Sequence, residues 1–177
     1  MSGAGFAKAE IEAFMPATLD LYQARLLAWL RPGDVTAKPG VGPLLEALAA
    51  EPRVTLGLLT GNLEPCARAK LAPLGVNHYF PFGAYGSDHE DRYRLPAVAL
   101  ERARSVVGVA FEGADLVIVG DSVHDVLCGR GLGLRAVAVA TGKTPRTRLA
   151  EAAPDALLED FGDAAAAVLA ILGDGEV

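Results

Sequence analysis

The sequence predicts an α/β fold, a Rossmann-like parallel sheet with helices on both faces, and three observations carry that expectation. Its strand candidates are continuous Val/Leu/Ile runs rather than alternating ones, the pattern of strands covered by helices on both sides. From residue 41 onward these runs alternate with segments of helix length. Two of them, Val54–Leu59 and Leu116–Val119, stop abruptly at small polar or acidic residues, Thr60-Gly61-Asn62 and Gly120-Asp121. Ligands of such sheets bind at the carboxyl ends of strands.

Between Ala7 and Leu30 the apolar residues Ile11, Phe14, Met15, Leu19, Tyr22, Leu26 and Trp29 recur every three or four positions, which predicts an amphipathic helix. Pro16 is expected to split it in two, because proline lacks the N–H and its ring crowds the preceding turn. The breakers in Arg31-Pro32-Gly33-Asp34-Val35-Thr36-Ala37-Lys38-Pro39-Gly40 read as a loop separating a helical part, 1–38, from an α/β part, 39–177. After that loop come a helix at Val41–Ala50, the strand Val54–Leu59, a helix at Glu64–Leu74 and an extended piece at Tyr79–Ala84. Helix Pro96–Val107, strand Leu116–Val119, helix Val123–Gly131 and strand Ala136–Ala140 continue the scheme. Ala156–Leu158 then reads as extended and Asp163–Leu172 as helical, helped by the alanines at 164–167.

A chain of 177 residues suffices for one domain with a sizeable core. The net charge of −6, with sixteen basic residues dispersed along the chain, argues against a nucleic-acid or anionic-membrane partner. No stretch approaches the roughly 18 apolar residues of a spanning helix, and Met1-Ser2-Gly3-Ala4 leads into no apolar signal core. Cys66 and Cys128 are far apart and lack C-x-x-C spacing, which fits reduced thiols in the cytoplasm.

Within Gly120-Asp121-Ser122-Val123-His124-Asp125, the glycine permits a tight exit from the strand and two carboxylates follow four residues apart. Mg²⁺ prefers carboxylate oxygens and keeps several waters, so one or two Asp at a strand tip suffice when a phosphate completes the shell. The bland alternative is that Asp121 or Ser122 merely caps the next helix. Thr60-Gly61-Asn62 offers a hydroxyl and unobstructed backbone amides to a phosphate oxygen, or is an ordinary strand-to-helix turn. Arg92 and Arg94, just before the Pro96 helix, supply cations that would neutralise a phosphate unless they are simply solvated. Asp88-His89-Glu90-Asp91 reads as a solvated acidic loop. Gly142-Lys143-Thr144 is not a P-loop, because the position five before Gly142 is Val137, inside a strand. Gly129-Arg130-Gly131-Leu132-Gly133 follows a helix and precedes a strand, the reverse of a dinucleotide-binding loop. His78, His89 and His124 share no metal-ligand spacing.

In this order, the Thr60 tip, a cation before a Pro-containing helix, and Gly120-Asp121 through Asp125 resemble the haloacid dehalogenase superfamily, in particular its phosphoglycolate-phosphatase-like branch. The resemblance spans about residues 39–177. It implies a haloacid-dehalogenase-like core, Mg²⁺ as cofactor, a small phosphorylated metabolite as partner, and phosphomonoester hydrolysis through an aspartyl-phosphate. Carried over, Thr60 binds phosphate with Gly61 and Asn62. Arg92 stands where the family has a lysine, with Arg94 as the other choice, and Asp121 and Asp125 are metal residues. Residues 1–38 resemble the end of the family's helical cap.

The family's first strand ends in D-x-D, whose first Asp is the nucleophile, and no D-x-D occurs in this sequence. By resemblance that strand is central, between those ending at Thr60 and Gly120. Without it, unpaired buried groups at about 1–3 kcal/mol each would exceed a domain's margin of ~5–15 kcal/mol. The expectation is then of an incomplete or inactive phosphatase. Its missing pairing would come from a longer natural chain, from a homodimer, or from closure of the flanking strands on each other. The rivals are a non-catalytic binding or assembly module that keeps the phosphate and metal cradle, and a metal-independent haloacid dehalogenase.

Overall fold

A computed structural model describes residues 5–173; residues 1–4, which open the expected cap segment, and 174–177 lie outside the described residues. Seven helices and five short strands alternate after the first two helices: α1 Lys8–Trp29, α2 Val41–Ala50, β1 Gly57–Leu59, α3 Glu64–Leu71, β2 Phe82–Ala84, α4 Leu95–Val107, β3 Val117–Gly120, α5 Val123–Cys128, β4 Arg135–Val139, α6 Arg146–Glu151, β5 Ala156–Leu158 and α7 Ala164–Leu172. All pairings are parallel, as the unbroken apolar runs required.

The strands divide into two sheets, β1-β2 and β3-β4-β5. In the first, Gly57 pairs with Phe82 and Leu59 with Ala84; in the second, Val117 pairs with Arg135 and Val137 with Ala156. The gap falls where the absent central strand was expected, between β1 and β3. Closure of these flanking strands on each other does not occur, because they stand apart across an apolar slot of about 500 Å³ lined by residues of both. Leu44 and Leu48 of α2 and Ile171 of α7 line this slot, as do Ala99 and Ala103 of α4. The first strand is also shorter than the apolar run suggested. Val54–Leu56 have no partner on β2, whose three residues are used by Gly57–Leu59.

Strand β4 organises the larger half by alternation of its side chains. Val137 and Val139 join Leu44, Leu48, Phe161, Ala167 and Ile171 in one buried cluster. Ala136 and Ala138 join Val126, Leu149 and Ala152 in another. The junction between α2 and the loop before α7 is close enough to demand glycine at position 40. Gly40 has φ +79°, and a Cβ there would lie 1.7 Å from the Phe161 carbonyl oxygen. Both cysteines are free and buried.

Three local expectations change. Helix α1 runs unbroken through Pro16. None of its residues is buried, so the carbonyl that loses its partner can face water. Its half-buried line is Ile11, Met15, Leu19, Gln23 and Leu26, while Phe14, Tyr22 and Trp29 of the expected apolar stripe are exposed. The helices expected to reach Leu74 and Gly131 end at Leu71 and Cys128 and tighten into 3₁₀ turns at Ala72–Leu74 and Arg130–Leu132. Helix α6 was not anticipated; it begins directly after Pro145, a residue suited to the start of a helix.

Among the described residues no helix is long and apolar enough to cross a membrane. Leu149 is wholly buried between α5 and β4, so Leu149→Ala should cost about 2–5 kcal/mol in urea unfolding.

Candidate functional site

Residues after β1 and β3 converge on the carboxyl edge of the two sheets. The chain leaving β1 stays tied to the end of β2: the Thr60 N–H donates to Ala84 O at 3.0 Å, and the Gly86 N–H donates to Asn62 O at 2.9 Å. The Thr60 hydroxyl oxygen accepts two hydrogen bonds from Asn62, from its backbone N–H at 3.2 Å and its side-chain Nδ2 at 2.9 Å. Lys70 Nζ in turn donates to Asn62 Oδ1 at 2.7 Å.

At the other tip Ser122 caps α5. Its Oγ accepts the Asp125 N–H at 3.2 Å and donates to Asp125 Oδ2 at 2.7 Å, while the Ser122 N–H donates to the same carboxylate oxygen at 3.1 Å. The other oxygen of Asp125 accepts a hydrogen bond from Arg92 Nη2. Asp125 is thus 8% exposed yet fully partnered. Its charge also reaches Cys128, whose thiol is pushed up first by burial and then by the neighbouring carboxylate.

Arg92 is the link between the tips. One guanidinium nitrogen bonds Asp125, and Nη1 lies 3.6 Å from where a Gly61 Cβ would stand. Its Nε is buried without a partner. Arg94 is exposed and makes no ion pair among the described residues. The 3₁₀ turn carrying both arginines starts at Asp91, whose carboxylate accepts the Tyr93 N–H at 2.9 Å, and the buried Leu95 and Pro96 anchor its far end.

Asp121 has a different environment from Asp125. It is exposed and accepts no hydrogen bond from the described residues. Gly142 packs so closely upon it that a Cβ there would lie 2.2 Å from Oδ2. A polar cavity of about 340 Å³ joins Lys38, Arg92, Asp121, Asp125 and Thr141. Val41, Leu59, Val119 and Phe161 line both this cavity and the apolar slot, so the slot opens at its carboxyl end into the polar site.

The donor chemistry sets what cation this edge can take. Among the described residues no three His, Cys, Asp or Glu side chains cluster tightly enough to enclose a metal. One free carboxylate, Asp121, beside one committed carboxylate, Asp125, fits a hard cation that keeps its waters and shares a phosphate oxygen.

The acidic stretch 88–91 is not simply solvated. Asp88 and Arg102 form a two-pronged ion pair with both contacts at 2.7 Å, Asp88 also accepts the Tyr85 N–H at 2.8 Å, and Arg102 reaches Gly83 O at 2.6 Å. Fourteen residues separate the partners, so local spacing gave no sign of them. The contributions of Lys38, Thr141 and Gly142 were equally invisible, since only the fold brings their loops beside Asp121.

Comparison with known proteins supplies the lineage. The HAD-hydrolase-like family model matches residues 95–164, from the start of α4 to the start of α7. A phosphoglycolate phosphatase of Synechococcus elongatus is 35% identical over 137 residues, 76% of this chain and 60% of that protein. One from Agrobacterium fabrum is 28% identical over 158 residues, 87% of this chain and 62% of that protein. The crystal structure of a predicted phosphoglycolate phosphatase from Haemophilus somnus superposes with a TM-score of 0.66 at 22% identity, covering 92% of this chain and 68% of that one. The chain belongs to the haloacid dehalogenase superfamily. It is phosphoglycolate-phosphatase-like, and it spans about three-fifths of the length of these two sequence relatives.

The Asp88–Arg102 pair holds the loop that delivers Arg92, and it sets an acid limit. Hydrogen bonds from Arg102 are the largest cause holding the Asp88 carboxyl below its ordinary value of 3.8. A carboxyl depressed in the folded state stabilises above its unfolded value, and that stabilisation is lost as pH falls through the folded value. Asp88→Asn should therefore cost about 1–2 kcal/mol at pH 7, a modest figure because Arg102 is partly solvated, and little once the pH is well below 3.8. Urea midpoints at the two pH values check this.

Proposed function

We propose that these residues form the phosphate- and Mg²⁺-binding half of a phosphomonoester hydrolase acting on a small phosphorylated metabolite. The supporting observation is Arg92, whose guanidinium lies beside Gly61 at one strand tip and bonds the Asp125 carboxylate at the other. Thr60, with the amides of Gly61 and Asn62, would bind phosphoryl oxygens, and the Arg92 guanidinium would offset their charge. Asp121 would ligate Mg²⁺, with Asp125 held behind it by Ser122 and Arg92. Bound there, the cation would neutralise charge on the phosphoryl group. Phosphoglycolate, named in the relatives, is the first substrate to try.

Hydrolysis by this family's route needs an attacking carboxylate, and the sequence has no D-x-D to supply one. The slot between β1 and β3 favours a second reading of the same chain, as a module that assembles with an added strand. A strand entering parallel to its neighbours would pair with two free edges and bring its last residues into the polar cavity. A second copy of this chain is one source of such pairing. We assign residues 1–38 to a cap segment and 39–177 to the core, supported by α1 having no buried residue and touching α3 rather than the two core clusters. A cytoplasmic setting agrees with two unpaired thiols.

Titration of the purified protein with inorganic phosphate tests the binding site. Mg²⁺ should tighten binding several-fold, Asp121→Asn should abolish that gain, and Thr60→Val should weaken binding with or without Mg²⁺. Equal affinities throughout would refute the site. Turnover of an aryl phosphate by the 177 residues, lost in Asp121→Asn, would refute the incompleteness; halide release that survives chelation would point to a dehalogenase instead.

A further inference from the structure

We propose that Lys70, on α3 and outside the phosphate site, is a positioning residue that fixes the Thr60 hydroxyl as an outward-facing hydrogen-bond donor. This rests on the reading of Thr60 as a phosphate-binding group.

The argument is one of donor and acceptor polarity. An ammonium only donates, so the atom of Asn62 that meets Lys70 Nζ at 2.7 Å must be the carbonyl oxygen Oδ1. That choice turns the amide nitrogen toward Thr60, where Nδ2 lies 2.9 Å from the hydroxyl oxygen and can only donate to it. The backbone N–H of Asn62 donates to the same oxygen at 3.2 Å. A hydroxyl has two lone pairs and one proton, and both lone pairs are now taken. Among the described residues no acceptor receives the proton. The hydroxyl is therefore set to donate to something outside the protein, and only an acceptor satisfies it. A phosphoryl oxygen is such a group.

The charge on Lys70 also polarises the chain of bonds in the same sense, so each donor strengthens the next. A half-buried lysine eight residues from Asn62 thus selects for a hydrogen-bond acceptor without touching it. Reversing its charge should reverse the chain. A carboxylate at position 70 accepts, which turns the Asn62 amide over, presents Oδ1 to Thr60 and captures the hydroxyl proton inside the protein.

The test is calorimetric titration of inorganic phosphate into the wild-type protein and into Lys70→Arg, Lys70→Met and Lys70→Glu, each repeated with Thr60→Val. Lys70→Arg should bind within about twofold of wild type, Lys70→Met should bind about three- to tenfold more weakly, and Lys70→Glu more weakly still. With Thr60→Val present, the Lys70 substitutions should have no further effect, because the group they orient is gone. Equal losses in the two backgrounds, or Lys70→Met indistinguishable from wild type while Thr60→Val remains weak, would overturn the positioning role alone. Phosphate affinity indifferent to Thr60→Val would overturn the underlying reading instead. A ligand-free measurement stands apart from both: the Asn62 side-chain amide resonances should move in Lys70→Glu and stay in Lys70→Arg, and an unchanged Lys70→Glu spectrum would refute the relay.

Discussion

The ion pair between Arg92 and Asp125 fastens together two sheets that share no backbone hydrogen bond. In a continuous sheet, neighbouring strands set each other's register and the positions of their tips follow. Here β1 and β3 are not neighbours, so side chains must do that work. A guanidinium is suited to it because its donors are fixed in a plane and can serve two directions at once. The arrangement has a strong one-sided dependence: removing the arginine leaves a nearly buried carboxylate without its charge partner, which is far costlier than never having had the pair.

The same edge shows how little room the site leaves for variation. Asp125 spends its oxygens on Ser122 and Arg92, and Asp121 keeps its own available while resting against Gly142. Two carboxylates four residues apart in sequence therefore occupy opposite roles, one structural and one open to ligand, because one sits inside a capped helix turn and the other precedes it. The loop bearing Arg92 is itself clamped by Asp88 and Arg102, so the guanidinium is delivered from a secured base.

Much of this was legible from local sequence. Continuous apolar runs gave the parallel strands, and the abrupt change from Leu59 to Thr60 and from Val119 to Gly120 gave the two tips, since each signal lies within a few residues. The order of Thr60, Arg92 and Asp121 was enough to suggest the lineage. Features that depend on distant partners were not legible. Asp88 looked like part of a hydrated acidic loop because Arg102 is a full helix away. Pro16 looked like a breaker because exposure of the whole helix, which lets water satisfy the freed carbonyl, is a tertiary fact. Lys70 is one lysine among ordinary helix residues until α3 is folded back beside Asn62.

Division of the sheet also shapes how the molecule opens. Strand β4 has neighbours on both sides and a packed helical layer above and below, so its amides are released only when most of the larger half comes apart. The β1-β2 ladder is three residues long, with one border facing an apolar channel, and fewer contacts oppose its separation. Two cooperative units of unequal strength follow from this, the weaker carrying Thr60 and the stronger carrying Asp121. Anything that settles between β1 and β3 would join them, so occupancy of the channel and rigidity of the Thr60 tip would become one equilibrium.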